Sequence, residues 1–269
     1  MMFDNLESLR KIRDATSHSE SRKELDKAID LYEAYLNSDG YHIHILHSDL
    51  QRSHYIVEEN YNDLIQIIEA YEDGSIEVNE ENYEEIEQLA LDFTRHLQNY
   101  VAATKGRYDL TQDVIGELAD IDTEEPPIGD KYEEKKESLD IVKYGSFFTG
   151  LRNYCLHDRP PIVKVSQETT HNHTAEGITT SEQRHFKLRK SDLLESGDYL
   201  NSTARDFLNE QNDEFHVHPE VETFQERLVE LYDWLDNEIE TRFVDSFEEA
   251  QGLHEQALEK QREIFEDWG

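Results

Sequence analysis

The stretch Phe147–Val163, FFTGLRNYCLHDRPPIV, decides our interpretation of this chain. Its apolar residues recur at the three- and four-residue spacing of an amphipathic helix. We expect that helix to end at about His157, because Pro160 and Pro161 follow and neither has a backbone N–H with which to continue it. One helix end therefore carries an arginine, an asparagine and a histidine within two turns.

The charge around this helix differs from that of the rest of the chain. Residues 141–190 contain eight Lys or Arg and four Asp or Glu, whereas all 269 residues have a formal net charge of −36. A positive segment in so acidic a protein is where an anion would be attracted. Acidic residues spread evenly along the chain are typical of proteins from halophilic archaea. At about 1 M salt the Debye length is about 3 Å, so distant carboxylates would not repel RNA.

Composition excludes several classes of protein. The chain is 36% hydrophobic and 10% aromatic, which is enough to fill an interior and argues against disorder. Cys155 is the single cysteine, which excludes an intrachain disulfide and a four-cysteine metal site. No apolar run approaches the ~20 residues of a membrane span, and the N-terminus lacks the apolar core of a signal peptide. We expect a soluble, cytoplasmic protein with no membrane partner.

Apolar periodicity predicts a mainly α fold. The predicted helices cover residues 3–16, 19–37, 41–71, 80–119 with Asn79 as N-cap, 131–157 and 200–211, and a long C-terminal helix opens at Pro219. We expect a loop over residues 120–130, which contain two prolines and a glycine.

A change from helical to alternating periodicity after the central helix predicts a small β-hairpin. Its strands would be 161–166 and 184–189, joined by a polar tip. We expect an N-terminal helical extension over residues 1–40 and a helical domain over 41–269, with the hairpin at about 161–190.

The order Arg152, Asn153, three further residues and His157 resembles the motif of the HEPN superfamily. The resemblance covers roughly residues 41–161 and includes RHLQNY at 95–100, near the end of an upstream helix segment. It implies a HEPN-like helical bundle with the hairpin inserted after the motif helix. It also implies a metal-independent endoribonuclease of a toxin or anti-phage system, with no cofactor, with RNA as substrate, and with an antitoxin or defence-system partner.

The residue types fit this chemistry. Attack by a 2′-hydroxyl on its own phosphodiester needs a base, an acid for the leaving oxygen and a cation for the phosphate. An imidazole such as that of His157 transfers protons near neutrality, and the Arg152 guanidinium can hold phosphate. Asn153 can orient one of these two side chains. On a helix Arg152 and His157 lie about 140° apart, so one copy places them awkwardly. We therefore expect a homodimer in which two such helices build one site.

Four more residues are candidates around the motif. Asn99 would support the site from the preceding helix, and Lys164, Lys187 and Arg189 would hold the RNA backbone. Each of them also has a non-functional interpretation. Asn99 could be a solvated amide on a helix surface, and the three cations could lie on a solvated sheet face, where nearby acids compensate their charge.

Several alternatives stay open. The bare spacing recurs at Arg13 and His18, in a polar segment without an apolar helix leading into it. A catalytically inactive HEPN-like module that binds RNA or a protein is the alternative function. The pairs His171/His173 and His216/His218 have a spacing that chelates zinc on a strand, but lack an evident third ligand, so we predict no metal.

Overall fold

The structure is a computed structural model that describes residues 2–78, 82–157, 163–174, 177–195 and 199–266. This part of the chain contains ten α-helices and a three-stranded antiparallel sheet, which confirms the mainly α class with a small β element. None of the described helices is long and apolar enough to cross a membrane. The elements are α1 (Met2–Ala15), α2 (Ser19–Leu36), α3 (Asp39–Glu72), α4 (Tyr83–Ala119), α5 (Ile128–Ser138), α6 (Ile141–His157), β1 (Val163–Thr174), β2 (Gly177–Arg189), α7 (Lys190–Glu195), α8 (Ser202–Glu210), β3 (Glu214–His216), α9 (His218–Arg242) and α10 (Val244–Glu266).

The chain forms two compact units, the first of which comprises Met1–Asp49, Gly116–Ile128 and Asp236–Gly269. In this unit α1, α2 and α10 share a core that includes Leu9, Leu25 and Ala257. The core also contains Tyr32, whose hydroxyl donates a hydrogen bond of 2.7 Å to Gln261 Oε1 on α10.

A buried ion pair organises the loop of the first unit. Arg242 Nη1 lies 2.5 Å from Asp122 Oδ2, and both side chains are almost fully buried. Asp122 Oδ2 also accepts a hydrogen bond of 2.8 Å from the backbone N–H of Ile128. This cap starts α5 at Ile128, whereas a loop was expected to continue to residue 130. The capping carboxylate lies six residues upstream, outside the local patterns that mark a helix start.

The second unit comprises Leu50–Ile115 and Gly129–Leu235 and contains α6 and the sheet. Its core is built from stacked aromatic rings. On α6, Phe147 stacks on Phe207 of α8 at 4.4 Å between ring centroids, and Phe148 stacks on Phe224 of α9 at 4.7 Å. These contacts anchor the helix that carries the motif.

The sheet has the order β1-β2-β3, with Val163 opposite Leu188 and Leu188 opposite Phe215. Its hairpin is longer than predicted: β1 continues to Thr174 and β2 starts at Gly177, so most of the expected polar tip is strand. Threonines favour extended backbone even without apolar alternation, which explains the error. The third strand was not predicted. The two prolines expected to end the motif helix lie outside the described residues, although α6 does end at His157.

Two helices predicted as continuous are each divided. The expected helix over residues 131–157 is α5 followed by α6, because Asp140 adopts a left-handed conformation with φ 55°. Aspartate tolerates that conformation better than most residues, so the break needs no glycine. The expected long C-terminal helix is α9 followed by α10, which meet at the buried Phe243. Neither break carries a proline or glycine in the sequence.

Candidate functional site

The packing of α6 decides which motif side chains reach the surface. Phe147, Phe148, Leu151 and Tyr154 are each about 1% exposed and form the buried face. Several other residues at this end of the helix turn away from the core, because 3.6 residues make one turn. Arg152 and Asn153 are half-buried, while Leu156 and His157 are exposed.

A close crossing brings a second segment to the motif. A Cβ atom at Gly150 would lie 2.6 Å from Leu200 Cδ2 and 3.4 Å from the carbonyl oxygen of Tyr199. A larger residue at this position would require the Leu200 side chain to shift, whereas the contact of its Cβ atom with the Tyr199 carbonyl oxygen would be an ordinary van der Waals contact. The absence of a side chain at Gly150 therefore favours the close packing of Tyr199 and Leu200 against α6.

Tyr199 covers His157. The two rings stack with centroids 5.8 Å apart and planes 17° apart, and the tyrosine hydroxyl donates a hydrogen bond of 3.3 Å to the His157 carbonyl oxygen. The imidazole is thus held against an aromatic face on one side. His157 as a whole remains exposed to solvent, so a substrate could still reach its imidazole.

In the part of the chain that the structure describes, Arg152 uses little of its hydrogen-bonding capacity. Its Nη1 donates a hydrogen bond of 3.3 Å to Asn153 Oδ1, and its Nε is buried without a partner. Within the described residues no carboxylate lies within ion-pair distance of this guanidinium. A buried donor without an acceptor is costly, so an anion placed here would be stabilised.

The neighbouring helix α4 contributes a residue that we did not predict. The side chain of Gln98 hydrogen-bonds Cys155, whereas the predicted Asn99 is exposed. Burial raises the pKa of the Cys155 thiol, and the contact with Gln98 acts in the opposite direction. A thiol with a raised pKa is a poor nucleophile at neutral pH, so Cys155 is better suited to packing.

The three sheet cations predicted to hold RNA each contact an acid. Lys164 Nζ lies 2.7 Å from Glu214, and Arg189 Nη2 lies 3.5 Å from the same carboxylate. Lys187 is largely buried, and its Nζ lies 2.5 Å from Glu168. The structure therefore brings these cations together on one sheet, but with carboxylates already beside them.

A histidine cluster surrounds Glu72 at the end of α3. The two oxygens of this carboxylate contact His185 Nδ1 at 3.2 Å and His218 Nδ1 at 2.8 Å. The rings of His185 and His216 lie 4.1 Å apart. Burial lowers the pKa of His216, and the nearby His185 and Lys187 lower it further.

The cluster does not have the geometry of a metal centre. No group of three or more His, Cys, Asp or Glu in the described part of the chain is arranged to hold a metal ion. The side chains of His171 and His173 lie outside that part. The spacing of His216 and His218 drew attention to this region, but Glu72, the carboxylate that contacts His185 and His218, lies on α3, far upstream in the sequence.

No known protein family, curated protein or solved structure matches this chain. Its function must therefore be argued from the site. Two residues that sequence reasoning missed, Gly150 and Tyr199, bear directly on that site. A glycine inside a predicted helix often marks a place where another segment packs closely against it, and this signal is present at Gly150. No signal in the local sequence connects Tyr199 to His157.

Proposed function

We propose that this protein is a metal-independent endoribonuclease of the HEPN type, acting as a toxin or in defence against phage. The observation that carries the proposal is the state of Arg152. In a chain with a net charge of −36, this guanidinium has no carboxylate beside it in the described structure and retains a buried, unpartnered Nε. It lies on the same helix end as the exposed His157.

Each motif residue has a role in this proposal. Arg152 binds the scissile phosphate and stabilises the charge that develops on it. His157 transfers protons to or from the reacting oxygens. Asn153, which accepts a hydrogen bond from Arg152, orients the guanidinium.

A second copy of the chain completes the site. Leu156 is 61% exposed and directly precedes His157 in the sequence. Packing two α6 ends together would cover this leucine. The pairing would also bring two arginines and two histidines to one cleft, which supplies an acid and a base together.

The test is an RNA cleavage assay at molar salt in the presence of EDTA. We expect the wild type to cut and to leave 2′,3′-cyclic phosphate and 5′-hydroxyl ends, because the 2′-hydroxyl is the nucleophile. RNA with a single 2′-deoxy substitution at the cleavage position should resist. His157→Ala should lose about 100- to 10,000-fold in rate, the usual contribution of general acid–base catalysis.

Arg13 and His18, which have the same spacing as Arg152 and His157, provide a matched control. Arg13 pairs with Asp14 at 2.9 Å and Asp26 at 3.6 Å, so its charge is already compensated. The double variant Arg13→Ala/His18→Ala should cut like the wild type. Cleavage that persists unchanged in both Arg152→Ala and His157→Ala would falsify the site, whereas RNA binding without any cleavage would favour the inactive RNA-binding module.

A further inference from the structure

A cavity of about 430 Å³ lies within the second unit, and none of the motif residues Arg152, Asn153 and His157 lines it. Its walls come from α4, α5, α6 and α9, and they include Tyr108, Ile141, Phe148, Phe224 and Leu228. The volume falls in the range of small-molecule sites, which are typically apolar with a few polar groups that fix orientation. A protein core packed to ordinary density would not leave such a space between four helices.

One wall of the cavity carries a buried lysine. Lys136 is 6% exposed, and its Nζ lies 5.4 Å from the ring centroid of Tyr108 and 5.3 Å from that of Tyr132. The ammonium has three N–H donors, and it donates one hydrogen bond of 2.7 Å to Glu133 Oε1. Glu133 is itself half-exposed, so water competes for this contact. Lys136 can therefore donate to a further acceptor inside the cavity.

Among the described residues, two lysines line the cavity, and each contacts a carboxylate near the surface. Lys105 pairs with Asp109, which does not line the cavity, and Lys136 pairs with Glu133. Both carboxylates are more than half exposed, so salt screens these two pairs more strongly than it would screen an anion held against Lys136 inside the cavity.

We infer that this cavity binds a small organic anion with an aromatic or branched apolar body and one carboxylate. The apolar body packs between Phe148, Phe224 and Leu228, and the carboxylate accepts hydrogen bonds from Lys136. This site is independent of the proposed ribonuclease, because it uses none of the motif residues.

Gly145 provides a way to close the site without disturbing its walls. This residue of α6 lines the cavity, and a Cβ atom built on it would meet no atom within 4 Å. A leucine at this position would enter the cavity instead of displacing a neighbour. Gly116 on α4 is a matched control, because a Cβ atom there also meets nothing within 4 Å and the residue does not line the cavity.

The experiment is a calorimetric titration of the full chain with 2-naphthoate, and with neutral 2-naphthylmethanol as the comparison. We expect the wild type and Gly116→Leu to bind 2-naphthoate alike, and Gly145→Leu not to bind it. Lys136→Met should weaken binding about tenfold or more, the loss expected for one charge-assisted hydrogen bond. Thermal melts check that each variant is folded.

Three results would overturn the inference. Absence of 2-naphthoate binding to the wild type would remove the site, and binding that survives in Gly145→Leu would place it elsewhere. Equal affinity for 2-naphthylmethanol would contradict recognition of an anion. Because the readout is binding and not RNA cleavage, the ribonuclease proposal can fail without affecting this result, and the reverse also holds.

Discussion

Two regions of the second unit carry positive charge, and they differ in what surrounds it. On the sheet, Lys164 and Arg189 share Glu214, and Lys187 contacts Glu168. At the end of α6, Arg152 contacts the neutral Asn153 and, among the described residues, no carboxylate. The net charge of residues 141–190 does not distinguish the two regions, because it leaves out Glu214, which lies on β3 outside that segment and compensates two of the sheet cations. The comparison indicates that, in the described part of the chain, Arg152 at the end of α6 lacks the carboxylate partner that each of the three sheet cations has.

The largest expected difference between the regions is in catalysis. Arg152→Ala should slow RNA cleavage about 100- to 1,000-fold, because it removes a donor aimed at the charge developing on the phosphate. Lys164→Ala should have a much smaller effect, since its ammonium is already beside a carboxylate. Initial cleavage rates at saturating RNA measure both. Equal losses in the two variants would contradict the distinction between the regions.

The effects on the free energy of unfolding should have the opposite order, with a larger loss for a substitution in the sheet than for one in the α6 motif. Phe186 on β2 is buried, with its ring 4.3 Å from that of Phe93 and 5.0 Å from that of Tyr71. Phe186→Ala should lower the free energy of unfolding by about 3–5 kcal/mol. Asn153→Ala, at a half-buried position on α6, should change it little. Chemical denaturation measures both, and a large destabilisation by Asn153→Ala would show that the motif serves the fold.

Removing the acid shared on the sheet should expose its cations. Glu214→Gln leaves Lys164 and Arg189 without that carboxylate, so RNA should bind more tightly. The plot of log affinity against log salt should steepen by about 0.7 for each additional phosphate that the protein neutralises. Glu210→Gln is the control, because Glu210 pairs with Lys143 away from the sheet. If the affinity is unchanged, RNA does not bind at this surface.

The smallest effect concerns His216 and pH. Its pKa is lowered in the folded state, chiefly by burial and then by His185 and Lys187, while Glu168 and Glu72 act in the opposite direction. The unfolded chain therefore binds this proton more readily, so folding loses stability as the pH falls below the ordinary histidine value of about 6.5.

Unfolding measured at pH 7.5 and at pH 5.5 tests this sign. His216→Gln should lose less stability than the wild type between the two values. A substitution at the exposed His44, by contrast, should leave the wild-type dependence in place. A wild-type protein that becomes more stable on acidification through this range, with the increase abolished by His216→Gln, would reverse the predicted sign.

Much of the fold followed from periodicity, and the failures have physical causes. The apolar stripes predicted α3 to within two residues at each end and the last residue of α4, because each helix buries one continuous face. The predicted N-cap of α4, Asn79, lies outside the described residues. The break at Asp140 and the meeting of α9 with α10 at Phe243 have no glycine or proline to announce them. The hairpin was predicted but its strands were expected to be shorter, because the sequence of its outer part is almost entirely polar.

The candidate site was predictable only where its residues are close together in the sequence. The three motif residues lie within six positions of one another, so the sequence names them directly. Tyr199 reaches His157 from 42 residues away, through a crossing that Gly150 permits. The pairing of Lys164 with Glu214 spans 50 residues. Contacts of this kind depend on the tertiary fold, which local patterns do not contain.

The central claim is that two copies of α6 build one ribonuclease site. It is tested most directly by mixing two inactive variants, Arg152→Ala and His157→Ala, after dissociation and with different tags to isolate the mixed dimer. We predict that the mixed dimer regains part of the wild-type cleavage, because its shared cleft contains one intact Arg152 and one intact His157, whereas each parent dimer lacks one of the two side chains altogether. A purified mixed dimer that is as inactive as either parent would contradict the claim.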